Sequence, residues 1–237
     1  MRPFFKLSLI LASFILFLTN NANADNFFCE NQKINYKLPD GFCKFNRNIE
    51  FEKEFIEYMD KMIGKPVLIE LAIRCKTLDK IRNNNYEYKE RELFPSITIA
   101  SDIISRKENI SVFKSIPRKK YIDLMEKVLG EYSSNSEAEK LKDKVNEERL
   151  KNEGLKVSEP KMSVLGKDDN SLFFVAQVQN HYKDNGVDHS VDSYSISFIS
   201  LIKTYPIYVY LNDSDPNEFN NNLNLLRNIA NNIVTSN

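Results

Sequence analysis

Apolar residues that alternate with polar ones, or form short runs, predict β-strands in several parts of the chain. The first is an extended stretch over residues 27–38, which ends at the turn residues Pro39, Asp40 and Gly41. Five further predicted strands are 67–73, 95–100, 172–182, 191–202 and 205–211. Because the last three follow one another with only short connections, we expect an antiparallel sheet.

Apolar residues at every third or fourth position predict three helices that pack on this sheet. The first covers residues 49–63 and ends at Gly64 and Pro66, the second begins at Pro117, and the third follows Pro216. The apolar stripe of the third helix consists of Phe219, Leu223, Leu226, Ala230 and Ile233. The predicted fold class is therefore α+β, an antiparallel sheet with helices packed on it.

A charged excursion over residues 133–156 interrupts this pattern. Within it, Ser136 and Glu139 have the spacing of a capping box and predict a helix over about 137–151. The apolar residues of this helix that could contact a core are Ala138, Leu141, Val145 and Leu150. Such a charge run is most often a solvated face, and the alternative is a helix that binds a partner.

The turn residues Asp184, Asn185 and Gly186 predict a hairpin between the strands 172–182 and 191–202. We assign one apolar and one polar face to this hairpin, which favours a register with His181 opposite His189 and a three-residue loop. The polar face would then present amide, imidazole, hydroxyl and phenol groups. Its members are Gln177, Gln179, His181, His189, Ser193 and Ser195, with Tyr208 and Tyr210 from the next strand.

The first 24 residues have the pattern of a secretory signal peptide. Basic residues Arg2 and Lys6 precede an apolar run over 7–18, and Ala22-Asn23-Ala24 is an A-x-A cleavage site. The run is shorter than the roughly 18 to 20 residues that span a bilayer, so we expect cleavage and no transmembrane span afterwards. Residues 25–237 are then a single domain, located in the periplasm or secreted.

The charge balance argues against a nucleic-acid partner. The chain has 33 basic and 33 acidic residues, and the leader contains Arg2 and Lys6 but no acidic residue. The mature protein therefore has two more acidic than basic residues, and no long-range positive field for a polyanion. The abundance of Asn, Lys and Ile indicates an AT-rich bacterial genome.

Export places Cys29, Cys43 and Cys75 in an oxidising compartment, where one disulfide can form in three ways. Cys43 follows the turn after the first strand, and Cys75 ends a strand expected in the same sheet. Cys29 lies near a terminus, where chains are often loose. We therefore predict a Cys43–Cys75 bridge with a structural role.

The sequence offers few of the parts that catalysis needs. It has no GxSxG, HExxH, P-loop or CxxC pattern, two histidines and six glycines. His181 and His189, with carboxylates of the hairpin, could bind Zn or Cu, although polar residues beside an exposed turn need no ligand. We expect neither a cofactor nor a metal. The sequence favours a binding protein over an enzyme.

Two other features could bind a ligand. Arg118, Lys119 and Lys120 occupy the N-terminus of a predicted helix, where cations oppose the helix dipole and an anion would be favoured. The simpler interpretation is three solvated basic residues. The polar sheet face, carrying Gln177 and Tyr210, suits a small polar ligand or a peptide, and the simpler interpretation there is contact with water or with the charged helix.

Residues 36–43 (Tyr-Lys-Leu-Pro-Asp-Gly-Phe-Cys), followed by a helix and an apolar strand ending at Cys75, resemble a group of uncharacterised exported bacterial proteins with an LPxGyC-like turn. The later order of strand, hairpin, strand and closing helix is similar to the PsbP/Mog1-like α/β sandwich, which implies an assembly or accessory role. We expect a non-catalytic periplasmic protein that binds an unknown protein, peptide or small polar ligand. The alternatives are a small metal-dependent or anion-binding enzyme and a structural cell-envelope protein.

Overall fold

The computed structural model describes residues 25–29, 31–63, 67–83, 94–101, 113, 115–132, 156–157, 161–184 and 187–237. The predicted leader lies outside these residues, as does the charged excursion apart from residue 156. No helix in the described ranges is long and apolar enough to cross a membrane.

An antiparallel sheet of eight strands is the centre of the described part of the chain. Its strands are β3 (Phe42–Lys44), β4 (Val67–Arg74), β5 (Ser96–Ser101), β6 (Lys156–Val157), β7 (Lys161–Lys167), β8 (Leu172–Asp184), β9 (Val187–Ile202) and β10 (Tyr205–Asp213). Their order is β3-β4-β5-β10-β9-β8, and β6 and β7 both pair with β8 at the far edge. The predicted α+β class is confirmed.

Four helices of the described part flank this sheet. They are α1 (Glu50–Ile63), α2 (Cys75–Arg82), α3 (Arg118–Tyr132) and α4 (Phe219–Thr235), the last preceded by a short 3-10 turn at Pro216–Glu218. The helices predicted at 49–63, after Pro117 and after Pro216 are confirmed. In α4, Leu226, Ala230 and Ile233 of the predicted stripe are buried.

Helices cover both faces of the sheet. On the α4 face, Val175, Ile196, Phe198 and Val209 form a core with α4 and the N-terminal hairpin. On the opposite α3 face, α1 and α2 pack at the β4 end, and α3 packs on Leu172, Phe174 and Ile199 at the β8 end, as two separate apolar clusters. Near its middle the sheet is therefore buried on both sides.

The predicted first strand is instead a two-stranded hairpin of β1 (Asp25–Cys29) and β2 (Gln32–Tyr36). Phe27, Cys29, Ile34 and Tyr36 point into the core, while Phe28 is 60% exposed. Each of the two short strands contributes two of these buried residues. The sequence between the strands has no Gly or Pro that would have indicated a turn. The expectation that Cys29 lies in a loose terminus is wrong, because its strand is paired and its side chain is buried.

The register predicted for the β8–β9 hairpin is wrong by one residue. His181 pairs with Ser190, Tyr182 pairs with His189, and Asp184 pairs with Val187, so only two residues connect the strands. The prediction assumed one polar face along the whole hairpin. Because both faces are covered near its base, consecutive residues such as Phe173 and Phe174 are both buried, and that assumption fails.

The predicted disulfide is confirmed. Cys43 in β3 is bonded to Cys75, the first residue of α2, with a Cα–Cα distance of 4.8 Å. The backbone N–H of Cys75 also donates to the carbonyl oxygen of Gly41 at 2.9 Å. The edge strand β3 is therefore attached to the end of β4 both covalently and by hydrogen bonding.

Candidate functional site

An open cleft of about 530 Å³ lies between the N-terminal hairpin and the edge strand β3. Its lining residues are Asp25, Lys37, Leu38, Pro39, Asp40, Gly41, Phe42 and Lys44. Six of these eight belong to the segment 36–43, which carries the LPxGyC-like motif. The motif therefore forms the wall of a concave surface, and this is the candidate site.

The motif segment is held in one conformation by local chemistry. Gly41 has a φ of 82°, a left-handed conformation that favours glycine, and the N–H of Phe42 donates to the carbonyl oxygen of Pro39 at 3.2 Å. The guanidinium of Arg74 lies 4.3 Å from the centre of the Phe42 ring. With the Cys43–Cys75 bridge beside it, this wall of the cleft is attached to the end of β4.

Lys44 is the centre of a charged cluster at the base of the cleft. Its Nζ lies 3.0 Å from Oδ1 of Asp25 and 3.7 Å from Oε2 of Glu70. The same Nζ lies 4.8 Å from the centre of the Tyr36 ring. We call these four residues the Lys44 cluster. It joins the first residue of β1, the last residues of β2 and β3, and the middle of β4.

Burial dominates the ionisation of two cluster members. It raises the pKa of Tyr36 far above the usual range for a phenol, and the negative charges of Glu70 and Asp25 raise it further. Burial also raises the pKa of Glu70, although Lys44 and Tyr36 partly oppose this and Asp25 adds to it. The Tyr36 hydroxyl makes no well-aligned hydrogen bond in the described part of the chain, but the carboxylate of Glu70 is close enough to raise its pKa. The cluster thus holds one ammonium group between two partly buried carboxylates.

The polar sheet face predicted from sequence is divided between the two faces of the sheet. The observed register places Gln177, Gln179 and His181 on the α4 face, whereas His189, Tyr208 and Tyr210 belong to the α3 face. Within these groups, Gln179 donates to Asp192 at 3.0 Å. The rings of Tyr208 and Tyr210 stack with centres 6.3 Å apart, and Tyr208 is buried. The six residues do not form one ligand-binding face, because the observed register of the β8–β9 hairpin differs by one residue from the predicted one.

The two histidines point to opposite sides of the hairpin, and both are exposed. They cannot converge on one ion within a single chain. No group of three or more metal-binding side chains occurs among the residues that the structure describes. The arrangement on which the metal-dependent alternative rested is therefore wrong.

Two of the basic residues at the start of α3 contact the turn between β7 and β8, and one of them also contacts β9. Arg118 donates from Nε to the carbonyl oxygen of Leu201 at 2.7 Å and from Nη1 to Oδ1 of Asn170 at 3.1 Å. Lys119 forms an ion pair with Asp169 at 2.8 Å, and Lys120 is exposed. Protein groups therefore occupy two of the three proposed anion ligands, which offsets the unfavourable position of these cations at the helix N-terminus.

Sequence reasoning missed Asp25, Lys44 and Glu70 as parts of a site. The motif segment 36–43 ends one residue before Lys44 and was the one local pattern that pointed to this region. Asp25 and Glu70 are far apart along the chain, so the sequence did not indicate that they lie close together. A comparison with known proteins finds no family model that matches this chain and no curated protein similar to it.

Proposed function

We propose that the protein is an exported bacterial protein that acts without catalysis, as a binding or accessory protein of the periplasm. Its contact site is the cleft that the motif segment, Asp25 and Lys44 form. The observation that carries this proposal is the cleft itself, in which a wall of residues 37–42 meets the Lys44 cluster.

The chemistry of the cleft favours binding over reaction. Its lining combines Lys37, Lys44, Asp25 and Asp40 with the apolar Leu38 and Pro39. Such a surface offers charged and apolar contacts to a peptide, a protein loop or a small polar ligand.

The compartment is supported by two independent features. The leader-like pattern over residues 1–24 precedes a chain whose described part begins at a paired strand, and Cys43–Cys75 is a disulfide of the kind that persists outside the cytoplasm. The resemblance to the PsbP/Mog1-like sandwich agrees with an accessory role by fold analogy. No observation favours the enzyme alternative. The structural cell-envelope alternative depends on the charged helix predicted over about 137–151, which lies outside the described residues.

Site-specific crosslinking in the exported protein tests this proposal. A photo-crosslinking amino acid replaces Asp40 in the cleft, and a matched variant carries it at Lys127, a solvent-exposed position on α3. We expect a discrete adduct in the periplasmic fraction for position 40 and none for position 127. Mass spectrometry then identifies the attached molecule.

Two outcomes of this crosslinking experiment would contradict the proposed contact site. If both positions give the same adducts, or if position 40 gives none while the protein is folded and exported, the cleft is not the contact site. Recovery of the full-length chain in the cytoplasm or membrane would contradict the export part of the proposal.

A further inference from the structure

Asp25 holds two roles that the sequence and the structure assign independently. It follows Ala22-Asn23-Ala24 and is therefore the expected first residue of the processed chain. It also lines the cleft, and its carboxylate contacts Lys44. Processing would therefore create a new chain terminus within the candidate site.

The Lys44 cluster has unequal charge in the uncut chain. One ammonium, that of Lys44, lies between the carboxylates of Asp25 and Glu70, whose side chains are 31% and 22% exposed. The other charged groups that line the cleft are Lys37 and Asp40, which have opposite signs. Arg74 lies against the Phe42 ring rather than between these carboxylates. The cluster therefore has one negative charge in excess at a site partly shielded from water.

We infer that the α-ammonium group of processed Asp25 is a functional part of the cleft and supplies the missing positive charge. Hydrolysis of the Ala24–Asp25 peptide bond by a signal peptidase breaks the C–N bond. Water provides the new oxygen of the Ala24 carboxylate, and the Asp25 nitrogen becomes an ammonium group. This inference rests on the proposed export of the protein.

Covalent geometry fixes where this new charge lies. The nitrogen of Asp25 is separated from its own carboxyl carbon by only two carbon atoms, so it remains within about 4 Å of the carboxylate. The register pairs Asp25 with Tyr36, which holds the backbone of residue 25 at the open end of the hairpin. Lys44 can then compensate Glu70 while the terminus compensates Asp25, and two cations balance two carboxylates.

Processing also places the end of the chain at the cleft wall. In the precursor the chain continues from residue 25 to the leader, starting at the cleft wall. Removal of the leader ends the chain there and completes the charge balance in the same step. The binding surface is therefore complete only in the exported form.

The test compares a chain that starts at Asp25 with one that starts at Ala22, which carries three leader residues and has its terminal amine displaced. Both are also made with Glu70→Gln, and urea unfolding is measured at low salt at pH 7 and pH 10. We expect the extended chain to unfold at a urea concentration lower by roughly 0.3 M at pH 7. The difference should shrink at pH 10, because folding brings the carboxylates of Asp25 and Glu70 together around Lys44, and the α-ammonium offsets their repulsion only while it is protonated.

In the Glu70→Gln background the difference at pH 7 should shrink as well, because the excess negative charge is gone. Equal midpoints for the two chains at pH 7 would overturn the inference. A difference that persists both at pH 10 and in the Glu70→Gln background would also overturn it, because the extension would then act sterically. N-terminal sequencing of exported protein tests export separately: a start other than Asp25 would contradict the processing site without altering the stability comparison.

Discussion

The side chain of Asn237 hydrogen-bonds to both backbone groups of Asn35, about two hundred residues earlier in the chain. The N–H of Asn35 donates to Oδ1 of Asn237 at 2.9 Å, and Nδ2 of Asn237 donates to the carbonyl oxygen of Asn35 at 2.7 Å. The same Nδ2 also donates to the carbonyl oxygen of Ile233 at the end of α4. One amide therefore caps a helix and attaches the outer edge of β2 to it.

Asn237→Ala should lower the free energy of unfolding by about 1 kcal/mol, because part-buried backbone groups of Asn35 lose their partners. The loss should be local, so hydrogen exchange at the amide of Asn35 should accelerate more than exchange in β9. Asn228→Ala is the control, since Asn228 is an exposed residue of the same helix. Equal effects of the two substitutions would show that the side-chain amide of Asn237 does not anchor the β1–β2 hairpin.

Arg82→Ala should destabilise the protein by about 3 kcal/mol, because it leaves a buried carboxylate without its cation. Glu52 is fully buried and accepts hydrogen bonds from Nε of Arg82 at 2.7 Å and from Nη2 at 3.1 Å. Lys53→Ala is the matched control, because its ion pair with Glu57 is exposed and 4.0 Å long. Chemical denaturation measures both variants, and the control should change stability by less than about 0.5 kcal/mol.

Thr98→Val should stabilise the protein by about 1 kcal/mol. The hydroxyl of Thr98 is buried and has no hydrogen-bond partner among the described residues, so a methyl group of the same shape removes an unpaired polar atom from the core. The comparison is Ser101→Ala in the same strand, where the hydroxyl donates to the carbonyl oxygen of Pro206 at 2.7 Å. This second variant should be less stable than the parent, and opposite signs in thermal unfolding would support the assignment.

Glu70→Gln should change how stability depends on pH. Because the folded-state pKa of Glu70 is raised, the folded protein binds this proton more tightly than the unfolded chain. Stability should therefore fall as pH rises from the usual glutamate range towards the folded pKa, and remain lower above it. Glu70→Gln should remove this fall, whereas Glu57→Gln at an exposed position of α1 should keep it. Urea unfolding between pH 4 and pH 8 gives both profiles.

Cys75→Ser should lower stability by about 4 kcal/mol under oxidising conditions, on the chain-entropy account of a bridge between residues 32 apart. Under reducing conditions the variant and the parent should unfold at nearly the same temperature. Peptide mapping without reductant should recover Cys43 linked to Cys75. A peptide that links Cys29 to Cys43 would contradict the bridge.

The elements that local patterns specify were predictable, and the relations between distant elements were not. The stripe of α4 and the turn at Gly41 follow from spacing and turn chemistry within short stretches, and the Cys43–Cys75 bridge is an exception that was predictable because only three pairings were possible. The β8–β9 register depends on α3 and α4 covering opposite faces of the sheet, and no residue of the hairpin indicates that both faces are covered. The Lys44 cluster likewise needs β1, β2, β3 and β4 to meet, so Glu70 gave no signal within its own strand.

The position of β10 also imposes an order on folding. This strand pairs with β5 on one side and β9 on the other, so it joins the N-terminal strands to the C-terminal hairpin. A chain that emerges from a ribosome or a translocation channel with its N-terminus first offers β3, β4 and β5 long before residues 205–213 are available. Those early strands lack their central neighbour until synthesis or transport is almost complete. The sheet of an unfinished chain therefore stays in two unconnected parts, and a polypeptide that has not completed its sheet can still be threaded through a narrow pore.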